Sequence, residues 1–129
     1  MKAIQSITKE QFTTTIRNQN HTIISDEPKD LGGADLGLRP TELLHGALAG
    51  CTAITMRMYA NRKEWELGEI TIDVERFEDE EEPYLTKNIV ISGKLDEQQL
   101  KRVHVIAGKC PVHKLIAKSI EIRSKISTL

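Results

Sequence analysis

The hydrophobic and polar positions fall into short alternating runs on either side of one long helical stretch. Residues 11–17 (QFTTTIR) are rich in strand-forming side chains, 18–20 (NQN) signal a turn, and 21–25 (HTIIS) read as the returning strand. A loop is expected over 26–39 (DEPKDLGGADLGLR), where Pro28, Gly32, Gly33 and Gly37 interrupt any regular pattern. Pro40, at home in a first helical turn, then opens the strongest helical periodicity in the chain. Leu44, Leu48, Cys51, Thr55 and Met58 recur at steps of three and four, and Leu43, Ala47 and Ile54 do so on another face. A helix apolar on both faces predicts burial on most sides. Gly46, Ala47, Ala49 and Gly50 give it a small-residue segment that another backbone can approach closely. Each glycine costs about 1 kcal/mol of helix propensity against alanine, which close packing can offset.

Beyond Trp65 the period changes to two. Residues 69–77 place Ile70, Ile72 and Val74 on one face, and 84–95 place Ile89 and Ile91 opposite Val90. The acidic run 78–82 and Pro83 join the two as a long hairpin. Asp96 is a favourable N-cap for a helix over 97–107, with Gly108 as its stop. Cys110-Pro111 starts a further short helix through Ile116, and 119–126 (SIEIRSKI) alternates as a closing strand. The expected order is β-β-α-β-β-α-α-β, an α+β arrangement without internal repeats, forming a single domain over residues 1–129. One chain of this size covers a helix apolar all round only with difficulty, so a dimer is expected.

Composition narrows what such a fold can do. The chain has 129 residues, 39% hydrophobic, which is enough to build a core. Eighteen Lys and Arg against nineteen Asp and Glu leave a formal net charge of −1. That balance provides no long-range attraction to nucleic acid or to an anionic membrane, and aromatic residues at 4% leave little for base stacking. The longest stretch free of Asp, Glu, Lys and Arg, residues 43–56, is shorter than the roughly 20 residues of a membrane span. Residues 1–9 lack the apolar segment of a secretory signal, so a cytoplasmic location is expected. There, two cysteines are reduced thiols rather than a structural framework.

Cys51, inside the long helix, reads by itself as a small core hydrophobe. Cys110 differs, because preceding Pro111 it occupies an N-cap position that faces unpaired backbone N–H groups and favours thiolate. The simpler alternative is that it replaces a Ser or Asp cap. His45, Cys51, Cys110 and His113 lack the paired spacing of a zinc site, so no metal is expected. Residues 78–82 read as a solvated hairpin tip rather than a cation site, and the loop glycines lack the Lys-Ser/Thr pair of a phosphate cradle.

Taken together, residues 40–57 (PTELLHGALAGCTAITMR) and 109–118 (KCPVHKLIAK) resemble the OsmC/Ohr superfamily. The shared pattern is a Pro-led helix with a cysteine eleven residues on, amid small side chains, followed by a C-P-V segment and a last strand. Gly32-Gly33 before the helix and the intervening hairpin fit as well, and the version here looks closest to the less characterised OsmC-like branch. The resemblance implies an intertwined homodimer with long central helices buried between sheets. It also implies a peroxiredoxin-like thiol peroxidase acting on organic hydroperoxides in the oxidative stress response. By residue match Cys51 is the attacking cysteine and Cys110 the resolving one, with no bound cofactor and an external dithiol, of lipoyl type, as reductant.

The family's thiol-stabilising arginine comes from the N-terminal β-region, where Arg17 and Arg39 are the candidates. The peroxidase branches carry an acid directly after the helix-opening Pro. Here Thr41 holds that position and Glu42 follows, about 100° further round the helix. That departure favours, as an alternative, a non-catalytic dimer that binds a small ligand or senses redox state.

Overall fold

The computed structural model describes residues 2–129 and divides after Gly46 into two compact units. In the first, three short strands form an antiparallel sheet in the order β1-β2-β3: Gln5–Thr8, Thr14–Arg17 and Thr22–Ser25. β2 and β3 are the expected hairpin, with Ile16 opposite Ile23 and the turn closed by the Asn18 side chain accepting from the Asn20 and His21 N–H groups. β1 was not expected. Its sequence, QSIT, offers a single apolar residue and no alternation, so the strand exists through its pairing with β2 rather than through a pattern of its own.

The loop after β3 is organised by a buried carboxylate. Asp26 accepts hydrogen bonds from the Thr13 hydroxyl at 2.8 Å and from the backbone N–H groups of Glu27, Ala34 and Leu36 at 2.8, 3.4 and 3.3 Å. Gly33 permits this closure, since a Cβ there would lie 1.9 Å from the Glu27 carbonyl oxygen. Gly33 and Gly37 therefore serve close backbone approach. Burial alone raises the Asp26 pKa, but the hydrogen bonds from Thr13 and from the Glu27, Leu36 and Ala34 N–H groups outweigh it and hold the carboxyl below its ordinary 3.8. The folded chain thus binds this proton less readily than the unfolded chain. The stabilisation is complete above pH 3.8 and is lost as pH falls through the lower folded value. Asp26→Asn is expected to lower the melting temperature at neutral pH, and the gap from wild type should narrow below pH 3.8 in thermal unfolding followed by circular dichroism.

Helix α1, Pro40–Lys63, begins with a contact in which the Glu42 carboxylate, in the third helical position, accepts from the Arg39 N–H at 3.0 Å. Its remaining length belongs to the second unit and buries Leu48, Thr52, Met56, Tyr59 and Ala60. Burial all round, as expected for a helix lying between sheets, is not observed within the chain. Ile54 and Met58 are 63% and 62% exposed, and a Cβ built at Gly50 meets nothing within 4 Å. One face of this helix is packed and the opposite face is open.

The packed face meets the hairpin of β4, Ile70–Phe77, and β5, Tyr84–Ile91, whose register pairs Ile70 with Ile91 and Ile72 with Ile89. Helix α2, Glu97–Ala107, completes the core: Met56, Ala60, Leu67, Val103 and Ala107 are buried together, with Ile70, Ile72, Ile89 and Ile91 packed against them. α2 matches its expected bounds because Asp96 and Gln99 form a full capping box and Gly108 follows. β5 ends at Ile91, four residues short of expectation, where Ser92 and Gly93 turn back to bond the Glu69 and Leu67 carbonyls.

Helix α3, Pro111–Ile116, starts where the Cys110-Pro111 step places it. The closing strand expected over residues 119–126 does not form. That segment is irregular, and Ile120, Ile122 and Ile126 stand exposed. Alternation becomes a strand only through pairing, and residues 119–126 pair with no strand among the described residues. The mixed α+β class stands, with the order β-β-β-α-β-β-α-α among the described residues.

Candidate thiol site

Three elements of the second unit bring Cys51, Cys110, Thr52, Lys87 and His113 into one cluster. Both cysteines are free thiols, Cys51 partly exposed and Cys110 fully buried. Cys110 caps α3: its Sγ accepts from the His113 N–H at 3.2 Å. From α1, the buried Thr52 hydroxyl lies 3.5 Å from the same sulfur, and Cys51 is the next residue along that helix.

Lys87 comes from β5 and ties the cluster together. Its Nζ lies 3.1 Å from Thr52 Oγ1, 2.8 Å from the Ala107 carbonyl oxygen and 2.9 Å from His113 Nδ1. An ammonium has three protons and no acceptor, so these three partners satisfy it completely. Each must therefore accept, which places the His113 ring proton on Nε2. Thr52 Oγ1 accepts a hydrogen bond from Lys87, leaving its own proton for Cys110. Ala107 ends α2, and its carbonyl lies at the negative pole of that helix, a favourable seat for a cation.

The electrostatics follow from this arrangement. Burial raises the Cys110 thiol, but the Thr52 hydroxyl, the His113 N–H, the Cys51 thiol and the Lys87 charge together bring it below its ordinary value. Burial pushes Lys87 down, partly countered by the two cysteines. Burial and the Lys87 charge both push His113 down, consistent with a neutral ring. Lys87 and His113 also border a cavity of about 510 Å³ whose other walls include Leu48, Tyr84, Leu85 and Ile116.

The remaining candidates lie in the first unit, where Arg17, Arg39 and Glu42 have partners of their own. The Arg17 Nε donates to Gln5 Oε1 at 2.9 Å, and Arg39 pairs with Glu27 at 3.2 Å. Glu42 holds the start of α1, and Thr41 is half-buried in its first turn. Among the described residues no group of three or more His, Cys, Asp or Glu is arranged to hold a metal ion, and no helix is long and apolar enough to cross a membrane. Sequence reasoning missed Lys87 and Thr52. The signal was present for Lys87, which shares strand parity with Ile89 and Ile91 and so takes a core-facing position as a charged residue.

A small-residue helix carrying one cysteine, a C-P-V turn carrying the other and a hairpin between them also define a known protein class. Residues 32–125 match the family model described as OsmC-like protein, and the chain belongs to that family. Solved structures agree in fold. An OsmC-like protein from Mycoplasma pneumoniae superimposes with a TM-score of 0.74 at 20% identity, over 89% of this chain and 86% of that one. A Psychrobacter arcticus protein assigned provisionally to the osmotic stress and detoxification response gives 0.76 at 24% identity, over 89% and 88%. An organic hydroperoxide resistance protein, OsmC, from Legionella pneumophila gives 0.64 at 18% identity, over 88% and 87%. At these identities the likeness is one of fold. No curated protein sequence matches this chain.

Proposed function

We propose that this protein is a thiol peroxidase that reduces organic hydroperoxides, with Cys51 as the attacking sulfur and Cys110 as the resolving one. The observation that carries the reading is the shared thiol cluster: a partly exposed cysteine beside a buried one whose pKa is lowered. Exposure suits Cys51 to meet the substrate, and the cavity bordered by Lys87 and His113 suits an apolar organic chain. The Cys51 thiolate attacks the distal peroxide oxygen, forming an S–O bond as the O–O bond breaks. The alkoxide takes a proton and leaves as the alcohol. The Cys110 thiolate then attacks the Cys51 sulfenic acid, forming the S–S bond as hydroxide leaves and is protonated to water. An external dithiol, of lipoyl type by family analogy, restores both thiols.

The same reading includes a homodimer working in the cytoplasm. The open face of α1 and the unpaired isoleucines after residue 119 are the surfaces a second copy would cover. The intact reduced protein, treated with one equivalent of an alkyl hydroperoxide, is expected to lose two hydrogens and yield a Cys51–Cys110 peptide pair in mass spectrometry. Absence of that pair, with both thiols still free, would overturn the proposal. It would favour the second reading, a small-ligand-binding or redox-sensing protein, which the cavity supports independently.

A further inference from the structure

We propose that Lys87 is a positioning residue for the thiol pair: fixed by Thr52, Ala107 and His113, it turns the Thr52 proton toward Cys110 and keeps a positive charge beside both sulfurs. The inference deepens the peroxidase reading, since it concerns the resolving step of the same site. It rests on geometry. Three acceptors within 3.1 Å consume all three ammonium protons, so Lys87 has no proton left to give a sulfur directly. Its influence passes through Thr52, whose oxygen accepts from Lys87 and whose hydroxyl faces Cys110 Sγ at 3.5 Å.

The groups facing Cys110 come from every neighbouring element. Cys51 and Thr52 belong to α1, Lys87 to β5 and His113 to α3, and α2 contributes the Ala107 carbonyl that seats Lys87. His113 accepts at Nδ1 and is neutral, which leaves Lys87 as the cation of the cluster. In the resolving step Cys110 attacks as the thiolate and is oxidised, while the sulfenic sulfur of Cys51 is reduced and releases hydroxide, which leaves as water by taking up the equivalent of the proton that Cys110 gave to solvent on ionising. Lys87 stabilises the attacking thiolate and keeps its own proton. The lysine therefore acts on how fast the disulfide closes and on the pH at which it does so.

The decisive measurement leaves peroxide out. In the Cys51→Ser background, where Cys110 is the remaining thiol, thiolate formation is followed by ultraviolet absorbance against pH. Adding Lys87→Met is expected to move the titration toward alkaline pH by about one unit, a tenfold loss of thiolate at fixed pH. Lys87→Arg keeps the charge and should move it less, whereas Thr52→Val removes the hydroxyl link and should move it in the same direction as methionine. A folded Lys87→Met protein that titrates with its parent would overturn the inference. If that variant fails to fold, an unchanged Thr52→Val titration does so. With both cysteines present, Lys87→Met treated with an alkyl hydroperoxide should accumulate dimedone-labelled Cys51 where wild type closes its disulfide, and equal rates of closure with an unshifted pH profile would count against it. A wild-type protein that forms no disulfide would overturn the peroxidase reading, while the thiolate titration still decides the role of Lys87.

Discussion

Serine at position 51 is expected to reduce alkyl hydroperoxide consumption by a thousandfold or more, on the order of what removing an attacking side chain costs other enzymes. The hydroxyl does not ionise at working pH and cannot form a sulfenic acid, so no later step rescues it. Serine at position 110 should behave differently. The first turnover remains, because Cys51 still forms its sulfenic acid, but the partner that condenses with it is gone. The sulfenic acid then persists and a second peroxide carries it to sulfinic acid, which a dithiol does not reverse. Peroxide consumption measured with excess dithiol should therefore be near zero for Cys51→Ser, and should start and then decay for Cys110→Ser. Mass spectrometry should find the added oxygens on Cys51. Equal behaviour of the two variants would remove the distinction between attacking and resolving sulfur.

The second large effect concerns stability. Leu67→Ala should cost about 2–5 kcal/mol, out of the 5–15 kcal/mol typical of a folded domain. Leu67 is fully buried among Met56, Ala60, Val103 and Ala107, so truncation leaves a cavity rather than an exposed gap. Its surroundings have little freedom to collapse into that space. The link from α1 to β4 is held by the Trp65 N–H on the Ala60 carbonyl and by the Gly93 N–H on the Leu67 carbonyl at 2.8 Å. Gly93 lies against this link so closely that a Cβ there would sit 2.1 Å from the Glu66 carbonyl oxygen. Urea unfolding followed by circular dichroism measures the loss, and a change under 1 kcal/mol would show that the site repacks. Because α1 and β5 carry the thiol cluster, the loss should be accompanied by faster alkylation of the buried Cys110.

Local chemistry made much of this structure legible in advance. Asp96 with Gln99, Cys110 with Pro111, and the alternation of Ile70, Ile72, Ile89 and Ile91 each fix an element through contacts made within a few residues or across one hairpin. The differences arise where the determining partner lies elsewhere. β1 owes its existence to β2, and the segment after residue 119 carries a strand pattern but pairs with no strand among the described residues. The pair of cysteines was visible from its two motifs, and Cys110 caps its helix as the Pro111 step implied. Lys87 was not seen, because a lone lysine within a strand reads as a solvent-facing residue until its parity is compared with its neighbours.

That parity has a consequence for how the hairpin is assembled. Lys87 stands opposite Val74, in the same phase as the isoleucines that fill the core. A slip of β5 by one residue would turn those isoleucines to water and withdraw the ammonium from its three acceptors together. Strand alignment and sulfur chemistry are thereby tied to one side chain: a misaligned hairpin makes a molecule with both thiols present and the nearby charge gone. The reactivity of Cys110 thus becomes a gauge of whether β4 and β5 have met in the right frame.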